Sequence, residues 1–154
     1  MKIIFQKNDF KLEKQMDLFS KSNPHNAGAI FSFIGKVRPL SENKKIISID
    51  IELYEKMAMY QTKKIILFLR KKYSIIDCLL IHRYGRIKPG QNIVLLLVSS
   101  EHRKQSFKFS EELIDWLKVK VTFWKKENFS KNSKWVSQKE TDRKVLKTSS
   151  SLNH

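Results

Sequence analysis

An α+β fold, with helices packed against one mainly antiparallel sheet, is what three features of this sequence predict. Apolar residues recur with a period of two, most plainly where Ile47, Ile49, Ile51 and Leu53 alternate with Ser48, Asp50 and Glu52. Three other stretches switch to helical spacing. The chain has 154 residues, 41% of them hydrophobic and 30% charged, enough for one sizeable core and too few for two.

In chain order, Met1–Phe5 reads as a short strand. Phe10, Leu12, Met16 and Phe19 fall on one side of a helix over Phe10–Ser20. Asn23-Pro24-His25-Asn26 is a turn cluster. Gly28–Val37 is an apolar, aromatic strand in which Gly35 marks a bulge or a close backbone approach. Arg38–Lys45 is a polar loop, and the alternating strand follows it. Over Tyr54–Lys72 a helix places Tyr54, Met57, Ala58, Ile65, Phe68 and Leu69 near one face, with Lys63, Lys64, Lys71 and Lys72 on the solvated side and at the C-terminus. Tyr54, Met57 and, later, Phe107 read as core. Two strands, Ile75–His82 and Asn92–Ser99, are separated by the turn Lys88-Pro89-Gly90-Gln91. Glu101–Lys120 returns to helical spacing through Phe107, Ile114, Leu117 and Val121, with Ser100 as its cap. Trp124 and Trp135 flank a polar loop. The expected division is a domain over 1–136 and a frayed polar tail over 137–154.

Composition excludes several classes. No apolar run approaches the roughly 20 residues of a membrane span, and the start lacks a secretory core, so the expectation is a soluble, cytoplasmic protein without a membrane. The single Cys78 rules out a disulfide framework or a CxxC pair, and inside an apolar strand it reads as a small hydrophobe. His25, His82, His102 and His154 lack metal-ligand spacing, so no metal is expected. There is no phosphate-binding glycine loop and no GxSxG elbow. The net charge of +16 attracts anions, but it is spread along the chain rather than gathered in a basic arm.

What remains is a set of cations at element ends. Arg38 sits where the Gly28–Val37 strand exits. His102 and Arg103 open the long helix, whose first amides favour an anion. Lys118 lies near the other end of that helix, and Lys125 follows Trp124. Were helical geometry to persist, 118 and 125 would face the same way two turns apart, and paired ammonium groups would lower one another's pKa. An amine tuned in this way serves as a nucleophile or proton donor. In so lysine-rich a chain, a solvated surface role is the competing reading for any one of them. His82-Arg83, ending a strand, reads as structural or as part of a dimer interface rather than catalytic.

The segments GAIFSFIGKVR, IDIELYEKMA, IHRYGRIKPGQ, VSSEHRKQSFKFSEELIDWLKVKVTFWKKE and KWV, in that order over residues 27–136, resemble the large, catalytic subunit family of molybdopterin synthase. The resemblance implies an α/β-hammerhead with an added antiparallel subdomain. It also implies a sulfurtransferase of molybdenum cofactor biosynthesis that converts cyclic pyranopterin monophosphate (precursor Z) into the dithiolene molybdopterin. Sulfur would come from the C-terminal thiocarboxylate of a small ubiquitin-like subunit with a Gly-Gly tail. Two large subunits would form a homodimer within a heterotetramer, with no cofactor and no nucleic acid. By the same resemblance Lys118 and Lys125 are the catalytic lysines, and Arg38, His102 and Arg103 bind the substrate's phosphate. All five must share a cleft, within one chain or across a subunit boundary. The sequence departs from the family pattern at Thr122, where proline is common, at Glu101, where a small neutral residue is usual, and in the loop after Arg38, which lacks glycine. Two other readings compete: a basic nucleic-acid-binding domain, and a non-catalytic docking module for a ubiquitin-like protein.

Overall fold

The computed structural model describes residues 1–23, 26–121 and 123–136. The tail over 137–154, Thr122 and the Pro24-His25 part of the first turn lie outside the described residues. In chain order the elements are β1 (Lys2–Gln6), α1 (Leu12–Ser22), β2 (Ala29–Lys36), β3 (Leu40–Ser41), β4 (Lys44–Lys45), β5 (Ser48–Leu53), α2 (Glu55–Tyr73), β6 (Ile75–Arg83), β7 (Gly85–Ile87), β8 (Asn92–Ser100), α3 (Arg103–Val119), β9 (Phe123–Asn128) and β10 (Ser133–Trp135). None of the described helices is long and apolar enough to cross a membrane.

The strands form two four-stranded sheets rather than one. The first has the order β1-β6-β8-β2, and the second β10-β9-β5-β7. Only β1 and β6 run parallel; the other pairings are antiparallel. The central strands β6 and β8 are nearly continuous apolar runs because both faces of their sheet are covered. Leu79, Ile81, Leu95 and Leu97 pack with Phe10 and Phe19 on the α1 side. Cys78, Leu80, Val94, Leu96 and Val98 pack with Ile65, Ile66, Leu69, Phe109, Leu113 and Leu117 of α2 and α3 on the other. The period of two thus sends alternate residues into two cores, each fully buried Leu or Ile contributing about 1.5–3 kcal/mol.

Gly35 behaves as its position suggests. The β2–β8 register shifts between Gly35 and Lys36, and a Cβ on Gly35 would stand 2.7 Å from Val94 Cγ1. Several expectations are corrected. Arg38–Lys45 is not a plain loop but a small hairpin, β3–β4, whose two-residue turn Glu42-Asn43 takes positive φ at both positions (49° and 63°). Ile47 precedes β5 and is 54% exposed, while Ile46 takes the inward position. Tyr54 (59% exposed), Met57 (43%) and Phe107 (52%) are not core. The inward stripe of α2 is Ala58, Thr62, Ile65, Ile66 and Leu69, and Met57 stands about 100° around the helix from Ala58. Phe107 lies over the edge strand β2, touching Phe31 edge-on at 5.3 Å and leaving its other side open.

Candidate active site

The cap of α3 is His102, not Ser100. The His102 backbone N–H donates to Gln105 Oε1 at 2.9 Å, and the Gln105 N–H donates to the His102 carbonyl at 3.1 Å. Ser100 instead braces the turn from inside, its hydroxyl donating to the His102 carbonyl at 2.8 Å and lying 2.5 Å from Ser106 Oγ. The loop also touches β2 closely: a Cβ on Gly28 would fall 2.3 Å from the Glu101 carbonyl oxygen. On this fixed turn the side chains of His102 and Arg103 both project into solvent beside the free amides of the first helical turn. Glu101 is exposed as well, its carboxylate 3.7 Å from His102 Nε2.

The other end of α3 is built differently. The helix stops at Val119, and Lys125 belongs to β9, so the two lysines are not one helical face. A tight reversal, in which the Phe123 N–H donates to the Val121 carbonyl at 2.7 Å, turns the chain from helix to strand. Lys118 is thereby placed in the last helical turn and Lys125 two residues into β9, at one corner of the molecule. Val119, Lys120, Val121, Phe123, Trp124, Lys125, Trp135 and Val136 line an open cleft of about 310 Å³ there. Each amine faces a carboxylate: Lys118 Nζ is 3.8 Å from Asp115, and Lys125 Nζ is 3.8 Å from the buried Glu127. Glu127 has no place in the spacing argument, which compares Lys118 with Lys125 on the supposition of a continued helix. On a strand, residues 123, 125 and 127 share a face.

Arg38 is exposed, and its backbone is clamped on both sides. The Val37 N–H donates to the Gln91 carbonyl at 3.0 Å, and the Pro39 carbonyl accepts from the Ile46 N–H at 2.9 Å. Arg38 leaves β2 at the end opposite Ala29, which pairs with Ser100 beside the start of α3. Because α3 starts beside Phe31 and packs along the sheet, the rise from Arg103 to Lys118 covers about 22 Å. Within one chain the five cations therefore do not converge. Lys118 and Lys125 share a corner, whereas His102 and Arg103 lie a helix length away.

The remaining candidates are structural. Burial pushes the Cys78 thiol up to about 12, so it is no nucleophile at neutral pH. Burial holds His82 down at about 4, against the opposing pull of the Arg83 carbonyl, so its imidazole is neutral. Buried Arg83 ties strands together, donating from Nε to the Lys7 carbonyl at 3.1 Å and from Nη1 to the Asn92 carbonyl at 2.8 Å.

Known proteins share this fold. The family model described as MoaE protein matches residues 5–120. A molybdopterin synthase catalytic subunit from Ralstonia nicotianae is 33% identical over 141 residues, covering 92% of this chain and 80% of the relative. A solved structure titled as a molybdopterin biosynthesis MoaE protein from Burkholderia ambifaria superimposes with a TM-score of 0.80 at 31% identity, covering 96% of both chains. The fold also matches, with a TM-score of 0.72 at 18% identity and 89% and 91% coverage, a complex of subunits 1 and 2 of the molybdopterin-converting factor from Helicobacter pylori. An α+β chain of this design, matching these relatives over most of its length, is a sulfur-transferring enzyme of molybdopterin synthesis. It belongs to the MoaE family.

Proposed function

We propose that Lys118 and Lys125 form the reactive centre of this enzyme at the α3–β9 corner, in the cytoplasm and without a bound cofactor. The observation that carries this reading is the cleft beside Lys125, walled by Trp124, Trp135 and Val136 and reached from the last turn of α3. An open cleft with tryptophan walls, polar backbone and an amine at its side suits the extended Gly-Gly tail of a small ubiquitin-like subunit. Its thiocarboxylate sulfur forms a C–S bond to a carbon of the pterin side chain in precursor Z as a C–O bond at that carbon breaks and the departing oxygen takes a proton. Water then hydrolyses the thioester, leaving the sulfur on the pterin and the tail as a carboxylate. Lys125 orients the acyl tail, and Lys118 stabilises the charge that develops on oxygen in the adduct. The Helicobacter pylori complex of two subunits supports a partner of this kind.

The cyclic phosphate needs the other cations. Arg38 approaches from the end of β2, and Arg and His supply charge-assisted hydrogen bonds to phosphate oxygens. About 22 Å of helix separates Arg103 from Lys118, more than a small pterin spans. His102 and Arg103 therefore act on the substrate held by a second copy of the chain, in a homodimer that carries one small subunit at each end. Two-fold pairing serves this geometry, because it sets opposite ends of the same element side by side.

The test is conversion of precursor Z to the dithiolene pterin by the purified chain with its thiocarboxylated small subunit. Lys118→Ala is expected to lower turnover by at least about 10²-fold while the circular dichroism and unfolding midpoint stay unchanged, since the side chain is half exposed. Full turnover in that variant overturns the assignment.

A further inference from the structure

Lys125 is presented by a strand that begins only two residues earlier, so whatever fixes that strand's first residue fixes the amine. Phe123 is that residue, and its side chain lies on the same face of β9 as Lys125. Its ring lies flat on the imidazole of His82, with centroids 4.1 Å apart and planes 9° from parallel. Phe5 meets the same ring edge-on at 5.6 Å. We propose that His82 is a positioning residue for the reaction, a rigid plate on which Phe123 rests so that Lys125 is held at a set height in the cleft. The proposal rests on the reading of Lys125 given above.

The plate is itself well fixed. His82 is only 9% exposed and sits in β6, flanked by Phe5 of β1 and Val94 of β8. Its Nδ1 lies 2.9 Å from the Arg83 carbonyl, which calls for a proton on that nitrogen and fixes the ring's tilt. The next residue, Arg83, bonds to the carbonyls of Lys7 and Asn92, so the end of β6 cannot shift without breaking charged hydrogen bonds. On the other side of Phe123 the chain comes from buried Val121, whose carbonyl accepts from the Phe123 N–H at 2.7 Å, so the first residue of β9 is held from both directions. The stacked ring thus links the first sheet, whose central strands are buried on both faces, to the strand that carries Lys125. An offset stacked pair contributes about 0.5–1.5 kcal/mol beyond its buried area, but its larger effect here is geometric. A displacement of a reacting group by about 1 Å can cost about 10²-fold in rate.

The experiment compares His82→Ala, His82→Phe and Phe123→Leu in the assembled enzyme with its small subunit, measuring kcat, KM for precursor Z and the thermal midpoint. Assays are run at a temperature where each variant is fully folded. His82→Ala and Phe123→Leu are expected to lower kcat by about tenfold or more, with KM changed less than about twofold. His82→Phe, which keeps a flat ring but no titratable nitrogen, is expected to recover most of the loss. In a Lys125→Ala background, adding His82→Ala should lower the residual rate no further, because the effect passes through the amine. A lowered midpoint with unchanged kcat in folded His82→Ala and Phe123→Leu overturns the proposal, as does failure of His82→Phe to restore the rate. If Lys125→Ala itself retains full kcat, the assignment of Lys125 fails. If Lys125→Ala is inactive while His82→Ala is fully active, only the positioning role falls.

Discussion

The two ends of α3 carry the same kind of charge on opposite kinds of support. At the C-terminal end, Lys118 and Lys125 meet carboxylates at 3.8 Å, and an aromatic stack ties their corner to the central sheet. At the N-terminal end the backbone is just as firmly held, by Gln105, Ser100 and the close approach of Gly28, but the Arg103 side chain points into open solvent and His102 meets the exposed Glu101 carboxylate at 3.7 Å. On the proposed assignment of the lysines and of the His102-Arg103 pair, the contrast separates two tasks. A group that takes part in bond making must be held to a fraction of an ångström. A phosphate clamp needs only a fixed base, provided that a second surface closes over the ligand.

Changes at the exposed end should therefore act on binding rather than on chemistry. Arg103→Ala removes a charged hydrogen bond of about 1.5–3 kcal/mol and should raise KM for precursor Z by about 10–100-fold with kcat little changed. A steady-state titration of precursor Z checks this, and an equal fall in kcat would place Arg103 in the chemistry. Gly28→Ala acts on the base of the same clamp. The new methyl group would meet a backbone oxygen at 2.3 Å, so the Glu101–His102 turn must move. The expected result is about 1–3 kcal/mol of destabilisation in denaturant unfolding, with a several-fold rise in KM.

The smallest catalytic effect is expected midway, where Glu112 of α3 binds Lys72 of α2 at 2.7 Å and also accepts from Tyr73. Burial alone would raise the Glu112 carboxyl above its ordinary 4.5. The hydrogen bonds from Lys72, Tyr73 and Trp116 outweigh burial and hold it lower. A carboxyl held low in the folded state contributes stability above its unfolded pKa, and that contribution is lost as pH falls through the folded value. Glu112→Gln should cost about 1–3 kcal/mol near neutral pH, flatten the acid side of the stability profile and leave kcat alone. Unfolding midpoints between pH 3 and 7 measure it.

Much of this was legible in the chain itself. Alternation over Ser48–Leu53 and the unbroken apolar runs of β6 and β8 announce strands, because pleating imposes that period. The motifs around Arg38, His102, Lys118 and Lys125 marked the candidate side chains. Three things were hidden. The strand β7 spans only Gly85–Ile87, too short to show a period. The strand β9 was hidden because Phe123–Asn128 carries two lysines and a glutamate and reads as the start of a polar loop. The separation of the two cationic groups was hidden as well, since it depends on α3 running back along its sheet. Tyr54, Met57 and Phe107 were misplaced for a related reason: hydrophobicity marks the residues a core can use, not the ones that reach it.

The central claim is that each reactive centre takes Lys118 and Lys125 from one chain and His102 and Arg103 from another. Mixing Lys118→Ala chains with Arg103→Ala chains tests it most directly, with turnover measured at precursor Z concentrations far below KM. Each parent is nearly silent under those conditions. Random pairing makes half of the dimers mixed, each with one undamaged site of two, so about a quarter of wild-type activity should return. A mixture as silent as its parents would mean that all the essential cations serve the chain that carries them.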